Sequence, residues 1–268
     1  MRHAFWCGLP PSSSQIRGAL ESTTDIQYRP LGNLRERLTL EHVADCMARV
    51  VADDGVVGIY QGAAETGPRA LGHRSILANP CNPDTLQTIN RRVKYREPIR
   101  PLAPMMTLAA ARRFFRMSPG AADDDFNAYS YMVLAAQALS EALEEIPAVV
   151  HKDGTSRLQI VREEHDPLMY AYLKAMGRRL GVEVSVNTSL NVGSPIVQTP
   201  EQALGALKKA QALSGLVMVA DDGDAWFVWR VPAECPAAFA AEFSDELPGQ
   251  TALADDTAGV GHSFFVAH

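Results

Sequence analysis

A cluster of arginines within residues 61–106 contains the residue types of this sequence best suited to chemistry. Between Arg69 and Arg100 the chain carries six arginines and one lysine against Asp84 and Glu97, in a protein whose net charge is −6. We call residues 69–100 the arginine island. A basic island in an acidic protein raises the local potential, and arginine binds phosphate through two parallel N–H donors. The island therefore predicts a site for a phosphorylated ligand, and the alternative is a solvated basic surface.

The backbone around these charges favours a binding site over a solvated surface. Glycines and prolines recur among the charges, which indicates a backbone of defined shape. Apolar residues also occur throughout, so the segment must contribute to a core. In an extended stretch, Lys94, Arg96 and Arg100 share parity and project to one side. The recurring glycines and prolines are Gly67, Pro68, Gly72, Pro98, Pro101 and Pro104.

The hydrophobic pattern predicts alternating strands and helices around the island. Ser12 to Ser14 offer an N-cap for a first helix, Thr39 is the predicted N-cap of a second, and Thr199 opens a capping box. Asp166 and Pro167 are the predicted N-cap and first residue of another helix. Such alternation predicts an α/β fold. The predicted strands cover residues 56–60, 102–108, 129–134, 158–160, 182–186, 216–219 and 226–231, and the predicted helices cover residues 12–20, 39–55, 84–92, 109–115, 135–143, 166–181 and 199–207.

Other segments carry polar groups whose function the pattern leaves open. Arg157 follows the turn signal Asp153-Gly154, where it is either an exposed turn arginine or another anion contact. The string N-T-S-L-N-V-G at 187–193 follows a strand and precedes a helix, so it is either a ligand loop or turn chemistry. The acidic run 123–125 is either a solvated loop or a metal site. Residues 233–268 lack patterned segments and are predicted to be a loosely packed tail.

Composition excludes several classes of protein. A pI near 5.7 argues against a general nucleic-acid coat or a membrane-surface protein. The four cysteines form no C-x-x-C pair, which excludes an obvious zinc knuckle or disulfide framework and suits a reducing cytoplasm. No signal peptide is visible, and no apolar run approaches the roughly 18 residues of a membrane span. We therefore expect a cytoplasmic protein without nucleic-acid or membrane partners.

Four motifs in order suggest a family. They are E-x-G-P-R-A-L-G-H-R-S-I-L-A-N-P, K-Y-R-E-P-I-R-P-L-A-P, D-G-T-S-R-L-Q, and N-T-S-L-N-V followed by P-I-V. Together they closely resemble the C-terminal domain of the O-carbamoyltransferases, which modify antibiotics and nodulation factors. The resemblance runs from about Phe5 to Val231. It implies a domain over residues 1–232, with a YrdC-like, twisted mixed β-sheet flanked by helices, followed by the tail 233–268.

The resemblance also implies an activity. Members of this family look like two linked parts, of which the C-terminal part uses carbamoyl phosphate and ATP to make a carbamoyl-adenylate. Mg²⁺ would accompany ATP, held mainly by the phosphates. The N-terminal ASKHA-type part, which holds iron and transfers the carbamoyl group, is not matched. The chain contains no H-x-x-x-H, so no protein iron site is expected, and a separate ASKHA-type transfer protein is one expected partner.

The family's site residues can be carried over position by position. The implied catalytic residues are Lys94, Arg157 and Ser189. Glu65 matches an acidic residue expected to orient an arginine, and His73 is given no acid–base role. The residues implied to bind carbamoyl phosphate and the nucleotide are Arg69, Arg74, Lys94, Arg100, Arg157, Ser189 and Asn191.

Two departures from the family, the unmatched transfer part and a changed loop, keep three interpretations open. The loop from Asn191 to Pro195 is one residue shorter than the family's pattern, and Ser194 replaces its glutamate. The chain is then a stand-alone adenylating subunit that serves a transfer partner, an ATP-dependent enzyme repurposed for another small substrate, or a non-catalytic protein that binds nucleotide or phosphate. The release of pyrophosphate separates an enzyme from a binding module.

Overall fold

An eight-stranded mixed sheet forms the centre of the computed structural model, which describes residues 6–67, 69–120 and 127–241. The candidate metal loop at 123–125 lies outside the described residues. The sheet order is β1-β11-β10-β2-β3-β9-β4-β8, and β5-β6-β7 form a smaller antiparallel sheet. The strands are β1 Ile26–Asn33, β2 Val57–Tyr60, β3 Arg74–Ala78, β4 Ala103–Met106, β5 Phe115–Arg116, β6 Ala135–Ala138, β7 Thr155–Arg157, β8 Gln159–Ile160, β9 Val184–Ser189, β10 Gly215–Val219 and β11 Asp224–Arg230.

Helices cover both faces of the large sheet. On one face, Ile59 of β2 and Leu77 of β3 pack in a core with apolar residues of the second and sixth helices. On the other face, Tyr60 of β2 and Ile76 of β3 pack in a core with apolar residues of the first and seventh helices. Alternate strand residues point to opposite faces, so both faces of this sheet are apolar. This confirms the predicted α/β fold with a mixed sheet and flanking helices. The α-helices are α1 Ser13–Ser22, α2 Arg37–Ala52, α3 Thr85–Thr88, α4 Leu108–Phe114, α5 Ser140–Glu145, α6 Pro167–Leu180, α7 Pro200–Lys209 and α8 Ala237–Ala240.

Three predicted helix starts are confirmed by their hydrogen bonds. Ser12 and Thr199 each form a capping box, with a glutamine three residues later. The side chain of Asp166 accepts a hydrogen bond from Met169 N at 3.1 Å, and α6 ends at Gly181 in the left-handed conformation, with φ 76°. Hydrogen bonds from neighbouring residues therefore determine where α1, α6 and α7 begin.

The predicted strand 129–134 is wrong, and the predicted helix 135–143 is right only from Ser140. Residues predicted as a strand form a 3₁₀ turn, Ala128–Tyr131, and the predicted helix 135–143 begins as strand β6. β6 pairs with both β5 and β7, and this long-range pairing overrides the helix propensity of its alanines. The predicted N-cap Thr39 is also wrong, because the N-cap of α2 is Glu36, three residues earlier.

Part of the predicted tail packs on the large sheet. Phe239 is fully buried and stacks on Phe227 of β11, with ring centroids 3.9 Å apart. The prediction of a loosely packed tail is therefore wrong for α8. In the part of the chain that the structure describes, no helix is long and apolar enough to cross a membrane.

Candidate functional site

The carboxyl end of β9 meets the arginine island. A π-helical turn, Ile89–Val93, follows α3 and ends at Lys94, whose amide donates to Ile89 O at 2.8 Å. The Lys94 ammonium group donates to Oδ1 of Asn191 at 2.6 Å, to the Asn191 carbonyl at 3.1 Å and to Ser189 Oγ at 3.2 Å, and it also bonds the Ser189 carbonyl. Ser189 Oγ donates to Asn191 Oδ1 at 2.6 Å. Three of the predicted residues therefore form one hydrogen-bonded group.

Burial lowers the pKa of Lys94. The side chain is 8% exposed, and its desolvation, followed by the positive charge of Arg96, lowers its pKa to about 7. Its partners supply dipoles and no negative charge. An anion placed against this lysine would restore its full positive charge, because an opposite charge favours the protonated form.

A small cavity lies beside this group. Its volume is about 120 Å³, and Arg69, Arg96 and Arg157 contribute to its wall together with Ser189. Asn90 Oδ1 accepts a hydrogen bond from Arg96 Nε at 2.7 Å, and this bond fixes the guanidinium. The remaining lining residues are Ala70, Pro101, Leu102, Ala103, Met132, Asn187 and Thr188.

Arg157 and Arg69 line both this cavity and a second one. The second cavity, of about 270 Å³, shares Arg69, Arg157 and Met132 with the first and adds Thr66 and Tyr131. Burial and then the charge of Arg69 lower the pKa of Arg157, so the two cations repel each other. Arg157 Nε is buried and has no hydrogen-bond partner among the described residues. A bound anion would relieve both the repulsion and the missing hydrogen bond.

Glu65 shapes the loop that carries Arg69. Its Oε1 accepts from the backbone amides of Leu71 and His73, both at 2.7 Å. Burial raises the pKa of this carboxyl to about 7, against the lowering effect of these two bonds. His73 stacks on Trp6 with ring centroids 3.9 Å apart and makes a 2.7 Å bond to Ala63 O through Nδ1. The glutamate therefore supports the loop through its backbone.

The structure does not bring two of the predicted arginines to the cavity wall. Arg74 is fully buried, donates to the carbonyl of Gln61, and lies over the ring of Tyr60 at 3.9 Å from its centroid. Arg100 is exposed and pairs with Glu97 at 3.5 Å. Arg96, which is not among the implied binding residues, lines the small cavity, and its position two residues after Lys94 was the available signal.

Comparison with known families decides the identity of this domain. The family profile described as "Carbamoyltransferase C-terminus" matches residues 48–220. This chain belongs to the carbamoyltransferase C-terminal family. The match includes all the cationic residues that gather around the two cavities, together with Ser189 and Asn191.

Relatives of this carbamoyltransferase C-terminal domain are longer proteins. The chain is 34% identical over 175 residues to the uncharacterized protein MJ1058 of Methanocaldococcus jannaschii, covering 63% of this chain and 27% of that protein. It is 33% identical over 199 residues to nodulation protein NolO of Bradyrhizobium diazoefficiens, covering 74% and 35%. It is 32% identical over 223 residues to a 3′-hydroxymethylcephem-O-carbamoyltransferase of Amycolatopsis lactamdurans, covering 82% and 39%. The chain thus spans between about a quarter and two fifths of these relatives' lengths.

Solved structures with similar parts were also found. Full-length HypF in its phosphate- and nucleotide-bound form matches 68% of this chain and 28% of its own, with a TM-score of 0.46 and 18% identity. A Sua5 variant of P. abyssi matches 72% and 54%, with a TM-score of 0.45 and 12% identity.

A larger cavity elsewhere in the carbamoyltransferase C-terminal domain has different chemistry. It occupies about 860 Å³ beside α2 and α6, and none of the predicted site residues lines it. Its cations are largely neutralised: Arg37 pairs with Glu41 at 2.8 Å, and Lys174 pairs with Glu183. Paired cations give little net field, so this larger cavity is a weaker candidate for an anion site than the cavity at the end of β9. Within the described ranges, no three His, Cys, Asp or Glu side chains gather to hold a metal ion.

Proposed function

We propose that this domain uses carbamoyl phosphate and ATP to form a carbamoyl-adenylate, which supplies the carbamoyl group for a small-molecule acceptor. One observation carries the proposal. Arg69, Arg96 and Arg157 line adjoining cavities, and Lys94 bonds Ser189 in the wall of one of them. Within the described residues none of these four cations forms an ion pair with a carboxylate. Unpaired, partly buried cations are costly in a folded protein, and a polyanionic ligand would compensate them.

The reaction needs such a cluster because its two substrates repel each other. Water cleaves carbamoyl phosphate to carbamate and inorganic phosphate; a carbamate oxygen then attacks the α-phosphorus of ATP, and pyrophosphate leaves. The second step brings an anionic carbamate oxygen against an anionic phosphorus centre. Positioning and electrostatic stabilisation by fixed arginine and lysine donors provide most of the acceleration in such transfers.

The geometry suggests separate roles for the residues. Arg69 and Arg157 face each other with spare donors, which suits the phosphate of carbamoyl phosphate. Lys94 lies at the end of the group formed with Ser189 and Asn191, which suits the nucleotide phosphates. ATP would bring Mg²⁺ held by its own phosphates, since the described residues offer no cluster of metal ligands.

Transfer of the carbamoyl group requires a further protein or domain. The relatives extend well beyond the matched part, and one of them is named for carbamoylation of a cephem. We propose a separate ASKHA-type transfer protein as the partner that receives the carbamoyl-adenylate. The acceptor would be an antibiotic-like or other small molecule, and the reaction would take place in the cytoplasm.

The loop after β9 supports a second candidate function. The Asn191 side-chain amide bonds the carbonyl of Ser194, where the family pattern has a glutamate. A shorter loop without that carboxylate would accommodate a different small substrate, so the second candidate is an ATP-dependent enzyme that activates another small acid. A non-catalytic binding protein is the third reading of the same cluster.

Mass spectrometry of a reaction with the purified chain, ATP, Mg²⁺ and carbamoyl phosphate tests the proposal. We expect carbamoyl-AMP, pyrophosphate and inorganic phosphate in equal amounts. The same assay with bicarbonate or small carboxylates in place of carbamoyl phosphate tests the second candidate. Nucleotide binding in calorimetry without any pyrophosphate from these substrates would refute both enzymatic proposals and leave the binding protein.

A further inference from the structure

The side-chain amide of Asn187 is fixed in one orientation. Asn187 lies in β9, two residues before Ser189, and is 2% exposed. Its Nδ2 donates to Ala70 O at 3.0 Å and to Gln159 Oε1 at 2.6 Å. Gln159 is itself fixed, because its Nε2 donates to Leu71 O at 2.8 Å, which leaves its Oε1 as an acceptor. The amide nitrogen of Asn187 is therefore fully used, and its oxygen points away from these two partners.

The oxygen of this amide has no donor. Asn187 Oδ1 is buried and receives no hydrogen bond from any residue that the structure describes. Asn187 nevertheless lines the cavity whose wall carries Arg69, Arg96 and Arg157. Buried carbonyl oxygens in native proteins are almost always paired, so an unpaired one on a residue that lines a cavity points to a donor supplied by a ligand.

The charged side chains of this cavity are all hydrogen-bond donors, and Asn187 Oδ1 is an acceptor beside them. A ligand that satisfies both must be anionic at one end and carry an N–H donor at the other. Carbamoyl phosphate has this pattern, with a phosphate for the arginines and an amino group for the amide oxygen. Acetyl phosphate, the smallest comparable acyl phosphate, has nearly the same shape, but its methyl group donates no hydrogen bond.

We infer that Asn187 Oδ1 accepts a hydrogen bond from the amino group of the carbamoyl moiety and so selects carbamoyl phosphate over acyl phosphates. This inference rests on the proposed function and adds a specificity-determining residue to it. Placing a methyl group against the oxygen would leave a buried acceptor unpaired, which weakens binding by roughly 5- to 150-fold. A site that pairs a substrate N–H rejects the analogue that lacks it.

A purely structural role of Asn187 makes a different prediction. Both side-chain hydrogen bonds that Asn187 forms with described residues use the nitrogen, which braces Ala70 and Gln159. Bracing alone would affect the shape of the cavity and the affinity for every anion equally. Recognition through the oxygen would affect only ligands that differ at the amino group, so a matched pair of ligands separates the two roles.

Calorimetric titration with two hydrolysis-stable phosphonates provides the test. Phosphonoacetamide carries the amino group, and acetonylphosphonate replaces it by methyl with little change of shape. We expect the wild-type chain to bind phosphonoacetamide at least about 10-fold more tightly. In Asn187→Ala we expect this preference to fall below about 2-fold, whereas inorganic phosphate keeps most of its affinity through the arginines.

Each outcome supports or overturns the inference. Equal wild-type affinities for the two phosphonates overturn it, as does an unchanged preference in Asn187→Ala or the absence of wild-type binding to phosphonoacetamide at millimolar concentration. If Asn187→Ala does not fold, as judged by circular dichroism and its melting curve, the wild-type comparison decides. The titration contains no ATP, so a chain that prefers phosphonoacetamide but forms no carbamoyl-AMP refutes the proposed function and not this inference.

Discussion

Lys94 Nζ lies 2.6 Å from Oδ1 of Asn191, although 97 positions separate the two residues in the chain. The pairing joins two motifs of the sequence, K-Y-R at 94–96 and S-L-N at 189–191, into one polar group. The π-helical turn delivers Lys94, and pairing of Ser189 in β9 with Ser75 in β3 holds the other side. This group has donors and acceptors but no carboxylate, which is why we expect it to bind an anion.

Replacing Lys94 by methionine should abolish turnover and leave the fold intact. The substitution keeps most of the side-chain volume and removes the ammonium group, so we expect pyrophosphate release to fall by at least about 100-fold. Relief of the buried charge and loss of the hydrogen bonds to Ser189 and Asn191 oppose each other, so the melting temperature should change little. Arg91→Ala, an exposed arginine of the same island, is the matched control and should keep the wild-type rate. A wild-type rate in Lys94→Met would remove Lys94 from the site.

The affinity for nucleotide should fall as pH rises. The pKa of Lys94 is lowered to about 7 by burial and by Arg96, so the free protein loses this charge above neutrality. Bound phosphate favours the protonated lysine, so above the pKa of the free protein Lys94 must take up a proton when nucleotide binds. This requirement weakens binding by up to about tenfold per pH unit. Calorimetry with a non-hydrolysable ATP analogue between about pH 7.5 and about pH 9 measures this slope. Lys94→Arg stays charged throughout and should flatten it; an equal slope in both proteins would contradict the assignment.

Sequence patterns predicted the local features of this site well, and its long-range geometry less well. The helix cap at Asp166 and the capping box at Thr199 depend on neighbouring residues, and both are confirmed. Strand β6 depends on partners about twenty residues away on either side, and its alanines alone predicted a helix. Short-range rules therefore recover the element ends, whereas pairing decides the type of a weakly patterned segment.

Side-chain direction explains the arginines that sequence reasoning placed differently. Arg74 begins β3, and its position on the strand turns the guanidinium onto Tyr60 within the core. The three cations Lys94, Arg96 and Arg100 were predicted to share one side of an extended stretch. In the structure Asn90 bonds Arg96 Nε and the carbonyl of Arg100, so this segment curls around Asn90 and Arg100 remains at the surface. Side chains alternate between two sides in a straight strand, but they do not in such a loop.

Arg96 should therefore matter more than Arg100. Arg96 lines the small cavity, so Arg96→Ala should reduce pyrophosphate release by about 100-fold. Arg100 is exposed beside Glu97, and we expect Arg100→Ala to change the rate by less than about threefold. Steady-state rates at saturating ATP and carbamoyl phosphate for the two variants provide the comparison. A larger loss in Arg100→Ala would place the nucleotide over the surface of the loop instead of in the cavity.

The buried carboxyl of Glu65 should make stability depend on pH. Its pKa is raised from 4.5 to about 7 by burial, so between these values the folded state holds a proton that the unfolded state has lost. Stability contributed by this group is complete below about pH 4.5 and is lost as pH rises through about 7. Glu65→Gln keeps an acceptor for the amides of Leu71 and His73 and removes the charge, so its stability relative to wild type should rise by roughly 1–3 kcal/mol from about pH 5 to about pH 8.

Urea unfolding at the two pH values measures this difference. Glu144→Gln, at an exposed position, is the control and should show the same pH dependence as the wild type. If Glu65→Gln and wild type lose stability in parallel, then Glu65 is ionised in the folded protein and the loop carrying Arg69 tolerates a buried charge.

The repulsion between Arg69 and Arg157 should appear as stabilisation by phosphate. Binding of an anion between these cations stabilises the folded state by RT ln(1 + [L]/Kd), about 1.4 kcal/mol at ten times the dissociation constant. In Arg157→Gln the repulsion and the unpaired Nε disappear, so the protein without ligand should melt at the same or a higher temperature. The rise in its melting temperature on addition of phosphate should be less than about half that of the wild type.

Melting curves in phosphate and in chloride at equal ionic strength separate binding from screening. Arg116→Gln, an exposed arginine on β5, should keep the full shift; a full shift in Arg157→Gln as well would place the phosphate site elsewhere.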